Sequence, residues 1–234
     1  MDYPRIIAHR CGGALAPENS LAGLAAAARV GCRGVEFDAM LSADGVPVLM
    51  HDDTVNRTTG GRGRVDALTA EQLRALDIGG EPVPLLAEAL DRCAELGLWA
   101  NIELKVPTGG DAGRLGTVVG RMLVERWNGR GVVSSFSTAA LLAARSQSSW
   151  YAVQALLVDA VPANWHELAG RTGVAAIHAD AVRIDAATIG DIRRAGLCVA
   201  CYTVNERVEA ERLLAAGASA VFTDHPEHWS RAEM

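Results

Sequence analysis

The chain has 234 residues, half of them hydrophobic and 21% charged, with a formal net charge of −6. That length fits one large domain or two small ones, and it allows a core that needs no disulfide staples. The acidic balance argues against a nucleic-acid binder, which would usually show a basic face, although a few local cations can still hold a phosphorylated small molecule.

The amino terminus, Met-Asp-Tyr-Pro-Arg, has no apolar signal region, and no apolar run approaches the roughly 18 residues of a membrane span. Five cysteines, an odd number at irregular spacing, predict reduced thiols and a cytoplasmic protein. Cys198 and Cys201 form a C-x-x-C, but it lies inside an apolar strand-like run with no helix opening between them. That placement argues against a redox or zinc role.

In chain order, the pattern predicts a strand at 5–9, a helix at 20–30, a strand at 35–40 and a helix at 85–96. A strand at 99–105, a helix at 112–128, a strand at 132–136 and a helix at 138–147 follow. The remaining strands are predicted at 153–158, 175–179, 199–204 and 220–223, with helices at 163–171, 186–195 and 206–216 and a short one after Pro226. Gly31, Gly97, Gly196 and Gly217 stand where helices should end, because glycine adopts the left-handed closing residue without strain. About eight such units predict an α/β fold, a single (β/α)8 TIM-type barrel spanning 1–234 as one domain. An open doubly wound sheet is the alternative, but no G-x-G-x-x-G follows the first strand.

One segment breaks the rhythm. Residues 46–51 look like a further strand, joined to the second only by Ser42-Ala43-Asp44-Gly45. A parallel crossover needs a dozen or more residues, so this link must be an antiparallel hairpin turning at Asp-Gly, with His51 near Glu36. The stretch from about 45 to 83 is then an insertion at the top of the barrel.

Strand alternation sets Asn101, Glu103 and Lys105 on the inward face, and Ile102 and Leu104 against the helices. By the same rule Glu36 and Asp38 point inward. Three carboxylates converging near the C-terminal ends of barrel strands imply a cation, and an all-oxygen set suggests Mg²⁺ or Ca²⁺. The alternative pairs Glu103 with Lys105 and Glu36 with an arginine. His9 ends the first strand and His51 ends the hairpin. Each is either structural or an acid–base group, and the neighbouring carboxylates favour the second. Arg10 and Lys105 add fixed positive charge suited to a phosphate diester. His178 either lines the site or is a satisfied core residue, whereas His166, His225 and His228 are read as solvated.

These residues, taken in order, resemble a known family. His9-Arg10 followed by glycines, Pro17-Glu18-Asn19-Ser20, Glu36-Phe37-Asp38, Asp44-Gly45-Val46-Pro47-Val48 and His51-Asp52 look like glycerophosphodiester phosphodiesterases. Thr54, Arg57-Thr58-Thr59, Asn101-Ile102-Glu103-Leu104-Lys105, Ser134-Ser135-Phe136, Thr203-Val204-Asn205, Thr223-Asp224 and Pro226 extend the likeness over nearly the whole chain. The resemblance implies metal-dependent hydrolysis of a small-molecule glycerophosphodiester to sn-glycerol 3-phosphate and an alcohol. It implies Glu36, Asp38 and Glu103 as metal ligands, and His9 and His51 sharing the acid and base roles. Arg10 and Lys105 would bind phosphate, and Glu18 and Asn19 would order the first loop. Cys11 stands where the family usually has glycine, Ser20 replaces a commoner threonine, and Tyr202 replaces a frequent tryptophan and either touches substrate or is a strand aromatic packing on its neighbours. Two other readings belong to the same frame: a lysophospholipase D or phospholipase C-like activity, and a barrel that binds phosphodiesters without turning them over. Nothing in the sequence bears on oligomeric state or points to stable membrane insertion.

Overall fold

The computed structural model describes residues 2–127, 130–147 and 153–229. Strand β1 (Ile6–Ala8) is followed by helix α1 (Leu21–Val30), strand β2 (Gly34–Leu41) and the short strand β3 (Pro47–Leu49). Helices α2 (Ala70–Arg74) and α3 (Leu86–Leu96) lead to β4 (Trp99–Leu104), α4 (Ala112–Arg126), β5 (Gly131–Ser135) and α5 (Thr138–Arg145). Strand β6 (Gln154–Val158), α6 (Trp165–Thr172), β7 (Ala176–Asp180) and α7 (Ala186–Arg194) come next. Strand β8 (Cys198–Tyr202), α8 (Arg207–Ala215) and β9 (Ala220–Thr223) follow, and the short helix expected after Pro226 is a single 3₁₀ turn, Pro226–His228. The predicted helix at 112–128 extends to residue 128, which lies outside the described residues.

Eight parallel strands close on themselves in the order β1-β2-β4-β5-β6-β7-β8-β9, with β1 bonded to both β2 and β9. The fold is therefore a TIM-type α/β barrel. Val35, Phe37, Ile102 and Leu104 pack outward, beneath the helices, as the alternation requires. Helix α1 starts at Ser20, whose hydroxyl accepts the Gly23 N–H, and ends at Gly31 in the left-handed region at φ 96°. Cys198 and Cys201 fall on opposite faces of β8, one against the barrel interior and the other in the outer core. Two sulfurs so divided cannot share an ion or a bond.

The hairpin forms as expected and brings His51 into the cavity that Glu36, His9 and Glu103 line, with a register one residue from the simplest count. Strand β3 pairs antiparallel with β2, Leu41 opposite Pro47 and Ala39 opposite Leu49, through a turn in which Gly45 takes φ 81°. Counting on, His51 falls opposite Phe37 rather than Glu36. A continued ladder would send it outward with Leu49. The chain instead leaves the ladder after the Met50 N–H bonds to the Asp38 carbonyl (3.0 Å), which frees His51 to turn inward. The rest of the insertion folds over a small core of its own, Met40, Val48, Val55, Val65, Leu73, Ile78 and Val83 among its members. Its helix α2, absent from the sequence reading, opens with a reciprocal Thr69/Gln72 capping box.

Inside the barrel, alanines 155, 176, 200 and 220 pack in one cluster with Tyr3, Trp99 and Phe222. His178 sits among them with no exposed surface, its Nε2 2.8 Å from the Tyr3 hydroxyl, and it is a core residue rather than part of the site. Burial pushes its pKa down to about 3. The unfolded chain therefore takes up a proton, near the ordinary histidine value of about 6.5, that the folded chain refuses. The stability contributed by the neutral ring is complete above that value and is lost as pH falls toward 3. We expect His178→Gln, which keeps a polar partner for Tyr3 and does not titrate, to flatten the decline of the urea midpoint between about pH 6 and about pH 4. An unchanged slope would show that other groups govern acid stability.

Candidate active site

The cavity opens at the C-terminal ends of the strands, has a volume of about 240 Å³, and is lined by His9, Arg10, Glu36, His51, Asn101, Glu103 and Lys105 on its polar side. Phe136, Leu157, Tyr202 and Phe222 form the other wall. The residues that the sequence singles out thus meet in one place although they come from β1, β2, β4, β8 and the hairpin. Asp38 does not line the cavity; it lies just beneath, 1% exposed.

Glu36, Asp38 and Glu103 each offer a carboxylate oxygen within 4.8 Å of the others. At an effective dielectric of about 20, two unit charges so close repel by roughly 3 kcal/mol, and three pairs by roughly 10 kcal/mol. Lys105 relieves part of this, with Nζ 3.1 Å from Glu103 Oε1 and 3.6 Å from Asp38 Oδ1. One ammonium does not neutralise three carboxylates. Burial, and then the neighbouring Asp38, push the Glu103 carboxyl up to about 7, against the pull of Lys105. Burial, with Asp38 and Glu103 beside it, raises Glu36 well above the usual carboxylate range. Glu36 Oε1 has no hydrogen-bond partner, and Glu103 Oε1 has only the Lys105 ammonium, off hydrogen-bond geometry. An unpartnered carboxylate oxygen beside two more carboxylates is a donor set for a hard cation. The alternative pairing is only half met: Glu103 does meet Lys105, but Glu36 receives the Arg10 backbone N–H (2.8 Å), not a guanidinium.

Each histidine is held the same way. His9 Nδ1 lies 2.7 Å from Asp224 Oδ1, and its Nε2 faces Glu36 Oε2 at 3.9 Å. His51 Nδ1 lies 2.8 Å from Asp52 Oδ1, and its Nε2 lies 3.0 Å from Lys105 Nζ. A carboxylate on Nδ1 sets the tautomer and leaves Nε2 for the cavity. Burial holds the His51 pKa below its ordinary value, so the ring is neutral and its Nε2 lone pair accepts from Lys105. The hydrogen bond from His9, working against burial, holds the Asp224 carboxyl down at about 2.

The supporting shell is built by the first loop and the insertion. Asn19 donates through Nδ2 to Asp38 Oδ2 (2.9 Å) and accepts the Asp38 N–H on Oδ1 (3.0 Å). Arg57 bridges Asp52 and Glu18, and Glu18 also takes Arg10 Nη1 at 3.0 Å. Gly13 is at φ 58°, where a Cβ would collide with the Asp224 carbonyl, so the loop after β1 can close on the end of β9. The Tyr202 hydroxyl donates to the Val158 carbonyl (2.9 Å), so Tyr202 offers the cavity its ring, which meets Phe136 edge-on.

Sequence reasoning named Asp52, Arg57, Asn205 and Asp224 only as motif letters and gave them no role. The structure has Asn205 Nδ2 donating to Asp224 Oδ2 (3.0 Å) and Asp224 orienting His9. The signal was present, since a closed barrel sets the end of its last strand beside the end of its first. Phe136, Leu157 and Phe222 were missed as lining residues because nothing marks an apolar residue at a strand end as facing the mouth.

Known proteins agree with this geometry. The family model of the glycerophosphoryl diester phosphodiesterases matches residues 9–228. A glycerophosphodiester phosphodiesterase of Caldanaerobacter subterraneus subsp. tengcongensis is 28% identical over 230 residues, covering 95% of this chain and 94% of that protein. Human glycerophosphodiester phosphodiesterase 1 is 45% identical over 109 residues, a stretch that makes up 42% of this chain and 33% of that protein. Among solved structures, an Oleispira antarctica phosphodiesterase in complex with the product sn-glycerol-3-phosphate superposes with a TM-score of 0.91. It is 34% identical, over 96% of this chain and 94% of that one. With a family match over almost its whole length and a barrel that superposes on an enzyme of that kind, the chain belongs to the glycerophosphoryl diester phosphodiesterase family and is a glycerophosphodiester phosphodiesterase.

Proposed function

We propose that the enzyme releases sn-glycerol 3-phosphate and an alcohol from a small glycerophosphodiester, with Mg²⁺ or Ca²⁺ held by Glu36, Asp38 and Glu103 and with His9 and His51 moving the protons. The observation that carries this reading is the paired orientation of the imidazoles, each with a carboxylate on Nδ1 and each Nε2 turned to the carboxylate–lysine floor. The product bound in the Oleispira antarctica structure supports the same product here. When bound, a divalent ion offsets negative charge developing on the phosphoryl oxygens.

The chain's own groups do the rest. Lys105 and Arg10 give the cavity the positive charge that receives phosphoryl oxygens. The apolar wall of Phe136, Leu157 and Tyr202 covers the opposite side and excludes water from the leaving group. His51, neutral and oriented by Asp52, takes the proton from the attacking hydroxyl or water. His9, oriented by Asp224, gives one to the departing alkoxide. Residues 1–234 act as one domain, to which the insertion at about 45–83 contributes His51. No helix among the described residues is long and apolar enough to cross a membrane, and all five cysteines are free thiols.

Chelator-stripped enzyme should be inactive and regain turnover with added Mg²⁺ or Ca²⁺. Calorimetry should show Glu36→Gln and Glu103→Gln each weakening ion affinity by at least about tenfold. Unchanged affinity in both variants would remove these residues from the ligand set.

His9→Ala and His51→Ala should each lower kcat by about 10²-fold or more while leaving the circular dichroism and melting curve intact. A variant within a few-fold of the parent would return that histidine to a structural role.

Because burial disfavours the imidazolium of His51, the base stays deprotonated to lower pH than a free histidine. The acidic limb of the kcat/KM profile should accordingly have its midpoint below about 6.5, and a midpoint at or above that value would contradict the assignment of His51 as the base.

A further inference from the structure

Arg5, Arg33 and Arg130 each immediately precede a strand, β1, β2 and β5 respectively. In the closed barrel these strands and β4 are neighbours in the order β1-β2-β4-β5, so the three arginines share one arc of the N-terminal mouth, opposite the catalytic cavity. Main-chain bonds tie them there: the Trp99 N–H donates to the Arg33 carbonyl (2.8 Å), Ala100 to Arg130 (3.0 Å) and Val221 to Arg5 (2.9 Å). With Asp2 they surround a cavity of about 160 Å³ that is floored by Tyr3 and Trp99, whose rings lie 4.9 Å apart.

Elsewhere arginines commonly find a carboxylate, as Arg57, Arg64 and Arg74 do. Among the described residues none of these three has a carboxylate within ion-pair distance, although the chain is acidic overall. The three arginines are exposed residues lining one concavity, and Asp2 brings a single negative charge among them. Their planar forks match the oxygens of a tetrahedral oxyanion. The cavity suits one such group and is well short of the roughly 300–1,000 Å³ that larger organic ligands occupy. We infer that this basin is a second anion site, which binds a phosphate-type oxyanion, free or carried on a small phosphomonoester, at the end of the barrel remote from catalysis.

The test reads Trp99 directly. In ¹⁵N-labelled full-length protein the Trp99 indole resonance, assigned with Trp99→Phe, is followed while inorganic phosphate or sn-glycerol 3-phosphate is added at constant ionic strength against chloride. At least one of the two should shift it saturably, and the tighter of them identifies the source of the oxyanion. Arg33→Ser and Arg130→Ser should each weaken that binding by about tenfold or more, with hydrolase activity and melting temperature unchanged. Arg130→Lys, which keeps the charge, should retain part of it. If neither ligand moves the Trp99 resonance more than chloride does, or if the serine variants titrate like the parent, the basin is not an anion site.

Discussion

Glu36, Asp38 and Glu103 bring carboxylate oxygens within 4.8 Å of one another inside the barrel, and a single lysine faces them. Much of the upper half of the molecule can be understood from this imbalance of charge. Glu36 and Asp38 are two residues apart on one strand and Glu103 lies directly opposite Asp38 on the next, so the parallel register between β2 and β4 alone brings the three together. The strands themselves cannot relax the repulsion, because their alternate residues Val35, Phe37, Ile102 and Leu104 are locked under the helices. Relief has to come from hydrogen bonds delivered by loops and from positive charge. The loop after β1 supplies Asn19 and the Arg10 N–H, and the end of β4 supplies Lys105.

The two histidines reach this centre by different routes, and each route uses a constraint of the fold. His9 depends on closure: Asp224, which orients it, is 215 residues away in the chain and becomes its neighbour only because β9 pairs with β1. His51 depends on an interruption of the barrel plan, a hairpin that ends its ladder early enough for the side chain to turn back over the mouth. Arg57 then joins the two regions, since it holds Asp52 on the insertion and Glu18 on the first loop, and Glu18 in turn holds Arg10. Loss of the insertion's small core would therefore disturb the first loop as well, although no covalent reason connects them.

Much of this was legible in the sequence because it rests on local rules. The alternation in residues 101–105 gives the inward face of β4, and the glycine stops and Ser20 cap bound the helices. A four-residue link ending in Asp-Gly admits only a hairpin. What escaped depends on more than local rules. The inward-facing His51 was legible, but the exact register of β3, set by where Pro47, with no N–H to donate, joins the ladder, was not. The insertion's core escaped because Val55, Val65, Leu73 and Ile78 are isolated apolar residues in a polar stretch, with no period to read. Asp224 and Asp52 were visible as letters, but their work as orienting carboxylates exists only once the histidines have a direction.

Backbone strain is concentrated where these parts meet. Arg10, Cys11 and Asn19 all take left-handed conformations, at φ 50°, 77° and 55°, which asparagine tolerates but which costs roughly 1–2 kcal/mol at each of the other two. Cys11 occupies a position where glycine would avoid that cost. Several of the compensating bonds go to the two acidic residues of β2: Arg10 N–H to the Glu36 carboxylate, Cys11 N–H to the Glu36 carbonyl, and the Asn19 side chain to Asp38 at two points, while the Asn19 N–H donates to the Arg10 carbonyl within the loop. The carboxylates that crowd one another are thus also the anchors of the strained loop. A change at Glu36 that eased the repulsion would remove the carboxylate that receives the Arg10 N–H, and a change at Asp38 would remove the one that holds the Asn19 side chain. The acidic cluster and the loop conformation are one cooperative unit, which is why neither can be optimised for stability alone without loss to the other.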